Sequence, residues 1–434
     1  VSFPKYSSYQ ETGLNWLGKV PSHWPVRRLG YYFAERREKV SDKEFPPLSV
    51  TRNGIVPQLE TAAKTDDGDN RKRVCAGDFV INSRSDRKGS SGLSDLDGSV
   101  SLISTVLKPQ EAVIGSFVHH LLRSTSFQEE FYRFGKGIVA DLWSTNYSAM
   151  SGITLAIPPL KEQLTIARFL DHETRKIDAL IVEQQRLIEL LQEKRQAVIS
   201  HAVTKGLNPE APMKDSGVEW LGEVPEHWSI KRLKYLSPNL TVGIVVNPSE
   251  YVSDEGLPFI YGGDIREGVI DWVNARRITP FLSERQPKTL LKVGDLLMVR
   301  VGAPGVTAVV PEDCAGGNCA SVMLIRKGNF SSQWLCYILN TRIVRSQVEV
   351  VQYGAAQEQF NISDAINFWV PTPPHSEQGH VASFLDAEHK KAQALIQEAQ
   401  CGIKLLRERR SALISAAVTG QIDVRGYSLE AAVA

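Results

Sequence analysis

The residues of this chain that could do chemistry do not combine into a reactive centre. A phosphate-cradling G-x-x-x-x-G-K-[ST] loop does not occur. Gly302-Ala303-Pro304-Gly305 and Gly316-Gly317 are Gly-rich, but neither lies in a strand–GxGxxG–helix context, and both read as turns. An adenine methyltransferase would need an Asn-Pro-Pro-aromatic loop. Pro158-Pro159-Leu160 and Thr372-Pro373-Pro374 lack the amide donor and the ring, and serve as helix starts. Cys314 and Cys319 lack a second ligand pair at zinc spacing. His375-Ser376-Glu377-Gln378-Gly379-His380 misplaces its glutamate for an HExxH site. His119-His120, beside Leu121 and Leu122, reads as core packing or a surface face, and His201 and His389 as solvated helix positions. No catalytic residue and no metal site is therefore expected. What remains is cationic: Arg71-Lys72-Arg73 and residues 83–92 (SRSDRKGSSG) in the first half, and residues 300–305 (RVGAPG) in the second, all read as polar loops.

These loops must be held by something stiff. Residues 158–206 open on two prolines, close on a glycine, and contain neither type between. Leu170, Ile177, Leu180, Ile181, Leu187, Ile188, Leu191 and Val198 recur at three- and four-residue steps, an apolar stripe on an otherwise charged rod. Such a rod needs a partner helix. At an offset of 215 it returns as residues 373–420, with Leu385, Ala392, Leu395, Ile396, Ile403, Leu406 and Leu413. Pro158-Pro159, Glu162-Gln163 and Phe169-Leu170-Asp171 become Pro373-Pro374, Glu377-Gln378 and Phe384-Leu385-Asp386. Gln184 interrupts the stripe where the repeat has Ala399, as a register device or a tolerated polar edge.

The duplication extends to the globular parts. Residues 15–29 (NWLGKVPSHWPVRRL) recur at an offset of 204 as residues 219–233 (EWLGEVPEHWSIKRL). Their tryptophans read as a clasp where a domain meets the rod, with base stacking as the alternative. Ala76-Gly77-Asp78-Phe79 is echoed by Val293-Gly294-Asp295-Leu296, each leading into a strand. One helix is expected at 116–134 and its counterpart at 334–351, strands at 78–82, 99–107 and 153–157, and a flexible lead-in at the start. The loops differ strongly between the two units.

Bulk properties bound the answer. With 434 residues the chain can hold two or three domains with cores of their own. No apolar run reaches the roughly 18 residues of a membrane span, and the start is no signal peptide, so no membrane and a cytoplasmic location are expected. Five scattered cysteines imply no disulfide framework. A net charge of +1 is not that of a self-sufficient nucleic-acid binder; positive charge must be local or come from partners.

Taken together, WLGxVPxHWxxxRL, GD before a strand and an Arg-bearing loop, PPxxEQ and the duplicated rod resemble the specificity (S) subunits of Type I restriction–modification enzymes, over nearly the whole chain. The resemblance implies an α+β fold: two pseudo-repeated globular α/β-mixed target-recognition domains separated by a long antiparallel two-helix coiled coil. The expected boundaries are 1–157 for the first domain, 158–206 for the central helix, 207–372 for the second domain, 373–420 for the distal helix and 421–434 for a tail. Each domain would read one half of a split site on double-stranded DNA, with the coiled coil setting the gap. Two modification (M) subunits would dock around it and methylate adenine, and restriction (R) subunits would add ATP-driven cleavage. The chain itself would hold no cofactor; S-adenosylmethionine, ATP and Mg would belong to the partner subunits. The alternatives are a coiled-coil adaptor without DNA specificity and a self-contained restriction or modification enzyme. The rod's charged face is either plainly solvated or an M-subunit dock.

For DNA contacts the candidates are Arg52, Asn53, Arg71, Lys72, Arg73, Arg84, Arg87 and Lys88 in the first domain. In the second they are Tyr261, Asp264, Arg266, Arg276, Arg277, Arg300, Gln357 and Gln359. Arginine suits guanine's O6/N7 edge, and Asn or Gln suits adenine's N6/N7 edge. Any one of these cations can instead hold a phosphate or stay solvated.

Overall fold

The computed structural model describes residues 3–60, 68–137, 143–237, 239–352 and 359–427. Four helices organise the account: α1 (Gly115–Arg123), α2 (Leu160–Lys205), α3 (Ser332–Leu339) and α4 (His375–Val418). The chain divides into two compact units, Val1–Gln185 with Gln400–Ala434, and Arg186–Ala399. The division falls inside the long helices, so each of them contributes part of its length to each unit.

In the first unit, four antiparallel strands lie in the order Ser91–Leu93, Phe79–Asn82, Ser104–Pro109, Phe33–Glu35. A three-stranded sheet of Gly98–Val100, Arg71–Val74 and Lys39–Val40 accompanies it. In the second unit, Thr307–Val309, Leu296–Met298, Met323–Ile325 and Leu240–Val242 repeat the four-stranded order. Its three-stranded sheet differs: Leu257–Ile260 pairs antiparallel with Arg276–Ile278 and parallel with Asn318–Cys319. The glycine-aspartate turns explain themselves here. Asp78 takes a two-pronged contact from Arg36 (2.7 and 3.1 Å) and a bond from the Cys75 amide, and Asp295 takes Arg326 at 2.6 Å and the Lys292 and Lys327 amides. Both are nearly dry, so each motif is a structural staple and not a binding site.

Each expected head helix is in fact two. Gly115–Arg123 and Thr125–Arg133 break at Ser124, whose side chain accepts from the Phe127 amide and caps the second piece. Ser332–Leu339 and Arg342–Val351 break at the equivalent place. The expected strand at 99–107 is likewise two, Gly98–Val100 and Ser104–Pro109. The start of the chain is no loose lead-in: Phe3 packs against Phe169, and the buried Tyr6 hydroxyl donates to Glu162 at 2.6 Å. At the other end Val424 is buried and Tyr427 packs on Phe169 and hydrogen-bonds His172.

The long helices start after paired prolines with Glu162 and Glu377 in their first turns, where a carboxylate favours the positive end of the helix dipole. Gly206 and Gly420 follow their ends at φ +77° and +72°, a conformation that stops the helix. A Cβ on Gly420 would lie 2.3 Å from Pro21, so the tight fit against the first domain also demands glycine. In the first unit Leu170, Thr174, Ile177, Ile181 and Gln184 of α2 are buried or half-buried, as are Ile403, Leu406, Arg410, Leu413 and Ala417 of α4. In the second unit Ile188, Leu191, Arg195, Val198 and Ala202 take that role with Leu385, His389, Ala392, Ile396 and Ala399. Steps alternate between four and three, the heptad period of knobs-into-holes packing. Within each unit the start of one helix packs with the end of the other, so the pairing is antiparallel. Asp178 and Arg410 pair across it at 2.9 Å.

The seam corrects the stripe expected from sequence. Leu180, Leu187 and Leu395 are 51, 43 and 49% exposed and lie off it, because a fixed heptad admits Thr174, Gln184 and Arg195 while excluding apolar residues one step out of phase.

Candidate nucleic-acid interface

Each globular part is fastened to the helices by the same three fittings. Glu162 of α2 accepts from Trp24 Nε1 (3.1 Å) and Tyr6 Oη, and pairs with His23 Nε2 (2.8 Å). Glu377 of α4 accepts from Trp228 Nε1 (3.1 Å) and pairs with His227 Nε2 (2.8 Å). The next residue is the second fitting. Gln163 donates to the Pro158 and Ala112 carbonyls and accepts from the Ile114 amide; Gln378 donates to the Pro373 carbonyl and accepts from the Ser331 amide. Third, Asp171 pairs with His120 Nε2 of α1 at 2.7 Å, and Asp386 accepts from Tyr337 Oη of α3 at 2.6 Å. The repeated Trp–His block and PPxxEQ motif are thus two halves of one joint. Trp24 and Trp228 are fully buried in it and unavailable for base stacking.

In the first unit, the turn between Leu48–Thr51 and Gly54–Pro57 presents Arg52 and Asn53. Arg52 Nε donates to the Lys88 carbonyl at 3.1 Å, which joins this turn to the 83–92 loop. Arg52, Asn53, Arg84, Arg87 and Lys88 are all exposed. Arg87 pairs loosely with Asp86 at 3.6 Å, and the Lys88 ammonium lies 5.4 Å from the Tyr132 ring centre. The Arg84 side chain has no partner among the described residues. Five candidates therefore share one surface.

Arg71-Lys72-Arg73 does not join them, and this is a correction. The three residues form the first part of strand Arg71–Val74, whose burial falls on Arg71 and Val74. Arg71 is 4% exposed and donates to Ser99 Oγ and the Ser99 carbonyl. Lys72 donates to the Ser104 carbonyl at 2.9 Å, and Arg73 pairs with Glu38 at 2.8 Å and covers the Phe45 ring. Their charges are spent inside the chain.

In the second unit, Arg276 is exposed and stacks 4.2 Å from the Tyr261 ring centre, while the buried Tyr261 hydroxyl has no hydrogen-bond partner among the described residues. Arg266 is exposed at a two-residue strand. Asp264 instead shapes its turn by accepting from the Tyr261 amide at 2.8 Å, and half-buried Arg277 donates to the Val273 carbonyl. Arg300 Nε donates to the Phe360 carbonyl, and a Val301–Gln359 bridge sets Gln359 beside it. Gln357 lies outside the described residues. A Cβ on Gly262 would come within 3.3 Å of Val299, so the turn after Tyr261 runs beside the segment that leads to Arg300.

Sequence reasoning set His119 aside as core packing or a surface face, passed over Arg123, and read the fastening glutamates only as part of a motif. Burial pushes the His119 imidazole down to about 4, with Arg123 and His120 adding to the effect. Burial, then Arg410, also holds Arg123 below its ordinary value. The hydrogen bond from His120 holds Asp171 below the usual carboxylate range. Burial drives the Cys314 thiol up to about 11 and those of Cys319 and Cys336 to about 12, which leaves them inert as nucleophiles. Among the described residues no group of His, Cys, Asp or Glu is arranged to hold a metal ion, and no helix is long and apolar enough to cross a membrane.

No family model matches the sequence. The chain is 25% identical to the Type I restriction enzyme EcoBI specificity subunit of Escherichia coli, over 62% of this chain and 59% of that protein, less than two thirds of its length. Identity to the putative type I restriction enzyme MjaX specificity subunit of Methanocaldococcus jannaschii is 23%, over 98% of this chain and 99% of the other. Among solved structures, one chain from a study of complex assembly and conformational transition in the type I R-M system superposes with a TM-score of 0.71 at 17% identity, covering 92% of this chain and 98% of that one. The HsdS subunit from Thermoanaerobacter tengcongensis gives 0.56 at 19% identity, covering 93% of this chain and 98% of that one. These structures share the fold.

Proposed function

We infer that this chain stands among the Type I restriction specificity subunits and is the non-catalytic part that decides where a restriction–modification complex acts on DNA. One observation carries this most: two units repeat a strand order and a three-part fastening, yet present different loops. A shared scaffold with unlike loops is what two readers of unlike half-sites require. The first reader presents Arg52, Asn53, Arg84, Arg87 and Lys88; the second presents Tyr261, Arg266, Arg276, Arg300 and Gln359. Arginine forks suit guanine and carboxamides suit adenine in the major groove.

The paired helices set the gap between half-sites. Two methyltransferase subunits dock on the repeated framework and extract the target adenine from the stack; placement of that base is the present chain's contribution. Near-neutral net charge fits a subunit whose grip on phosphate is shared with those partners. S-adenosylmethionine, ATP and Mg are assigned to the methyltransferase and restriction subunits, and the complex to the cytoplasm.

Mapping methylated adenines genome-wide with and without this chain tests the assignment. The expected result is a two-part motif with a fixed gap that disappears in the deletion strain. An unchanged methylation pattern in a strain whose methyltransferase is active would refute it.

A further inference from the structure

The first unit contains a cavity of about 450 Å³ lined by Arg52, Lys88, His119, His120, Arg123 and Arg410. It lies where α1, the 83–92 loop, the Arg52 turn and the end of α4 meet. Two of these groups are neutralised: Arg410 by Asp178, and His120 by Asp171. Three cations are not. The Arg123 guanidinium bonds His119 Nε2 at 2.8 Å and the Arg52 carbonyl, neither of them an anion, and no carboxylate pairs with it among the described residues. Arg52 donates to a backbone carbonyl, and Lys88 sits over an aromatic ring. A half-buried guanidinium without a counter-charge carries part of its desolvation cost unmet, and a ligand anion offsets that cost.

The second unit supplies an internal control. α1 and α3 correspond at an offset of 217, so His119, His120 and Arg123 become Cys336, Tyr337 and Asn340. A cavity of about 290 Å³ occupies the equivalent place there, lined by those residues and by Arg195 and Ile199, the repeat mates of Arg410 and Ile414. Its lining carries two cations, Arg195 and Lys390, and two carboxylates: Glu267, which pairs with Arg345, and Asp386, which accepts from Tyr337. Asn340 Nδ2 is already bonded to the Thr307 and Cys336 carbonyls. The framework keeps the hollow in both units, and only the second lines it with carboxylates.

We propose that the first-unit cavity is a clamp for one phosphodiester of the DNA backbone, with Arg123 as its half-buried anchor and Lys88 and Arg52 at its mouth. The proposal rests on the DNA-reading assignment above. It adds that the grip is one-sided. Lys88 belongs to the same loop as the exposed Arg84 and Arg87, so a phosphate held there fixes the register of that loop on the duplex.

The test uses the full chain with its methyltransferase partner, comparing the original chain with Arg123→Gln and Lys88→Ala. Loss of one phosphate contact lowers the slope of log K against log salt by about 0.9. Each variant is expected to show such a drop, to weaken cognate and scrambled duplexes alike, and to keep the sequence preference; Lys390→Ala in the carboxylate-bearing second cavity should leave the slope unchanged. Thermal midpoints in inorganic phosphate and in chloride at equal ionic strength form a second arm, with phosphate raising the midpoint of the original chain and not of Arg123→Gln. A phosphate effect with no change in slope would assign the cavity to a free anion and overturn the DNA clamp. No change in either arm would overturn it outright. Should Arg123→Gln fail to fold, exposed Lys88 still decides the slope. A complex with no sequence preference for any duplex would instead sink the recognition role itself, and this proposal with it.

Discussion

Replacing Glu162 by alanine should loosen the first unit far more than Glu377→Ala loosens the second. Glu162 is 7% exposed and serves two fully enclosed donors, Tyr6 Oη and Trp24 Nε1. Burial and the neighbouring Glu162 hold the Tyr6 phenol far above its ordinary value, so it stays a donor. Each enclosed donor left unmet costs about 1–3 kcal/mol. His23 can turn to water and adds little, so the expected loss is about 4 kcal/mol. Glu377 is 26% exposed and has one enclosed donor, Trp228; water can fill its place, and the expected loss is about 1–2 kcal/mol. A chain of two compact units need not unfold in one step, so native-state hydrogen exchange is the suitable assay, followed on peptides covering 9–24 and 213–228. Each substitution should lower the opening free energy of its own unit. Equal losses, a reversed ranking, or a loss below about 1 kcal/mol at Glu162 would refute the reasoning.

Arg84→Ala should weaken the cognate site by about 1–3 kcal/mol and relax one base position, read by methylation of a randomised half-site library; an equal loss on random DNA would assign the side chain to phosphate. One heptad inserted after Gln185 and another after Ala399 keeps the seam in phase and adds about 10.5 Å to each helix. Such a variant should prefer a gap about three base pairs longer, and an unchanged gap would contradict the spacer role. His119, flanked by Arg123, His120, Arg410 and Asp171, is held at about 4 against an ordinary 6.5. Between those values the unfolded chain binds the extra proton. Stability of the first unit should therefore fall as pH drops through that window, by at most about 3 kcal/mol. His119→Gln should flatten the dependence in urea titrations at pH 4.5 and 7.5; a curve as steep as the original's would show that another group is responsible.

Much of this architecture was legible because duplication prints each signal twice. The rods, their proline starts and glycine ends, and the Trp–His block followed from self-comparison alone. The helix break at Ser124 was also readable, since Ser-Thr inside a helical run is a capping signal that the expected single helix overrode. Other features depend on partners remote in sequence. Arg71 looks like a loop cation until Ser99, 28 residues on, takes it into a sheet. The Tyr6 hydroxyl finds Glu162 across 156 residues, which no local pattern reports. The stripe erred for a different reason: counting every apolar residue at three or four steps cannot tell a heptad seam from its flank, so Leu180, Leu187 and Leu395 were included and Thr174 and Arg195 were not. The cationic cavity draws on residues from four separate stretches and has no linear signature.

The repeated joint has a consequence for how such a chain can change. Indole and imidazole on a glutamate, a carboxamide on backbone groups, and an aspartate on the first head helix recur at both attachment points. A head excised at those points and carried to the other would meet the same sockets. Its reading surface could then be exchanged whole, or rewritten loop by loop, while the shaft it is bolted to stays as it was.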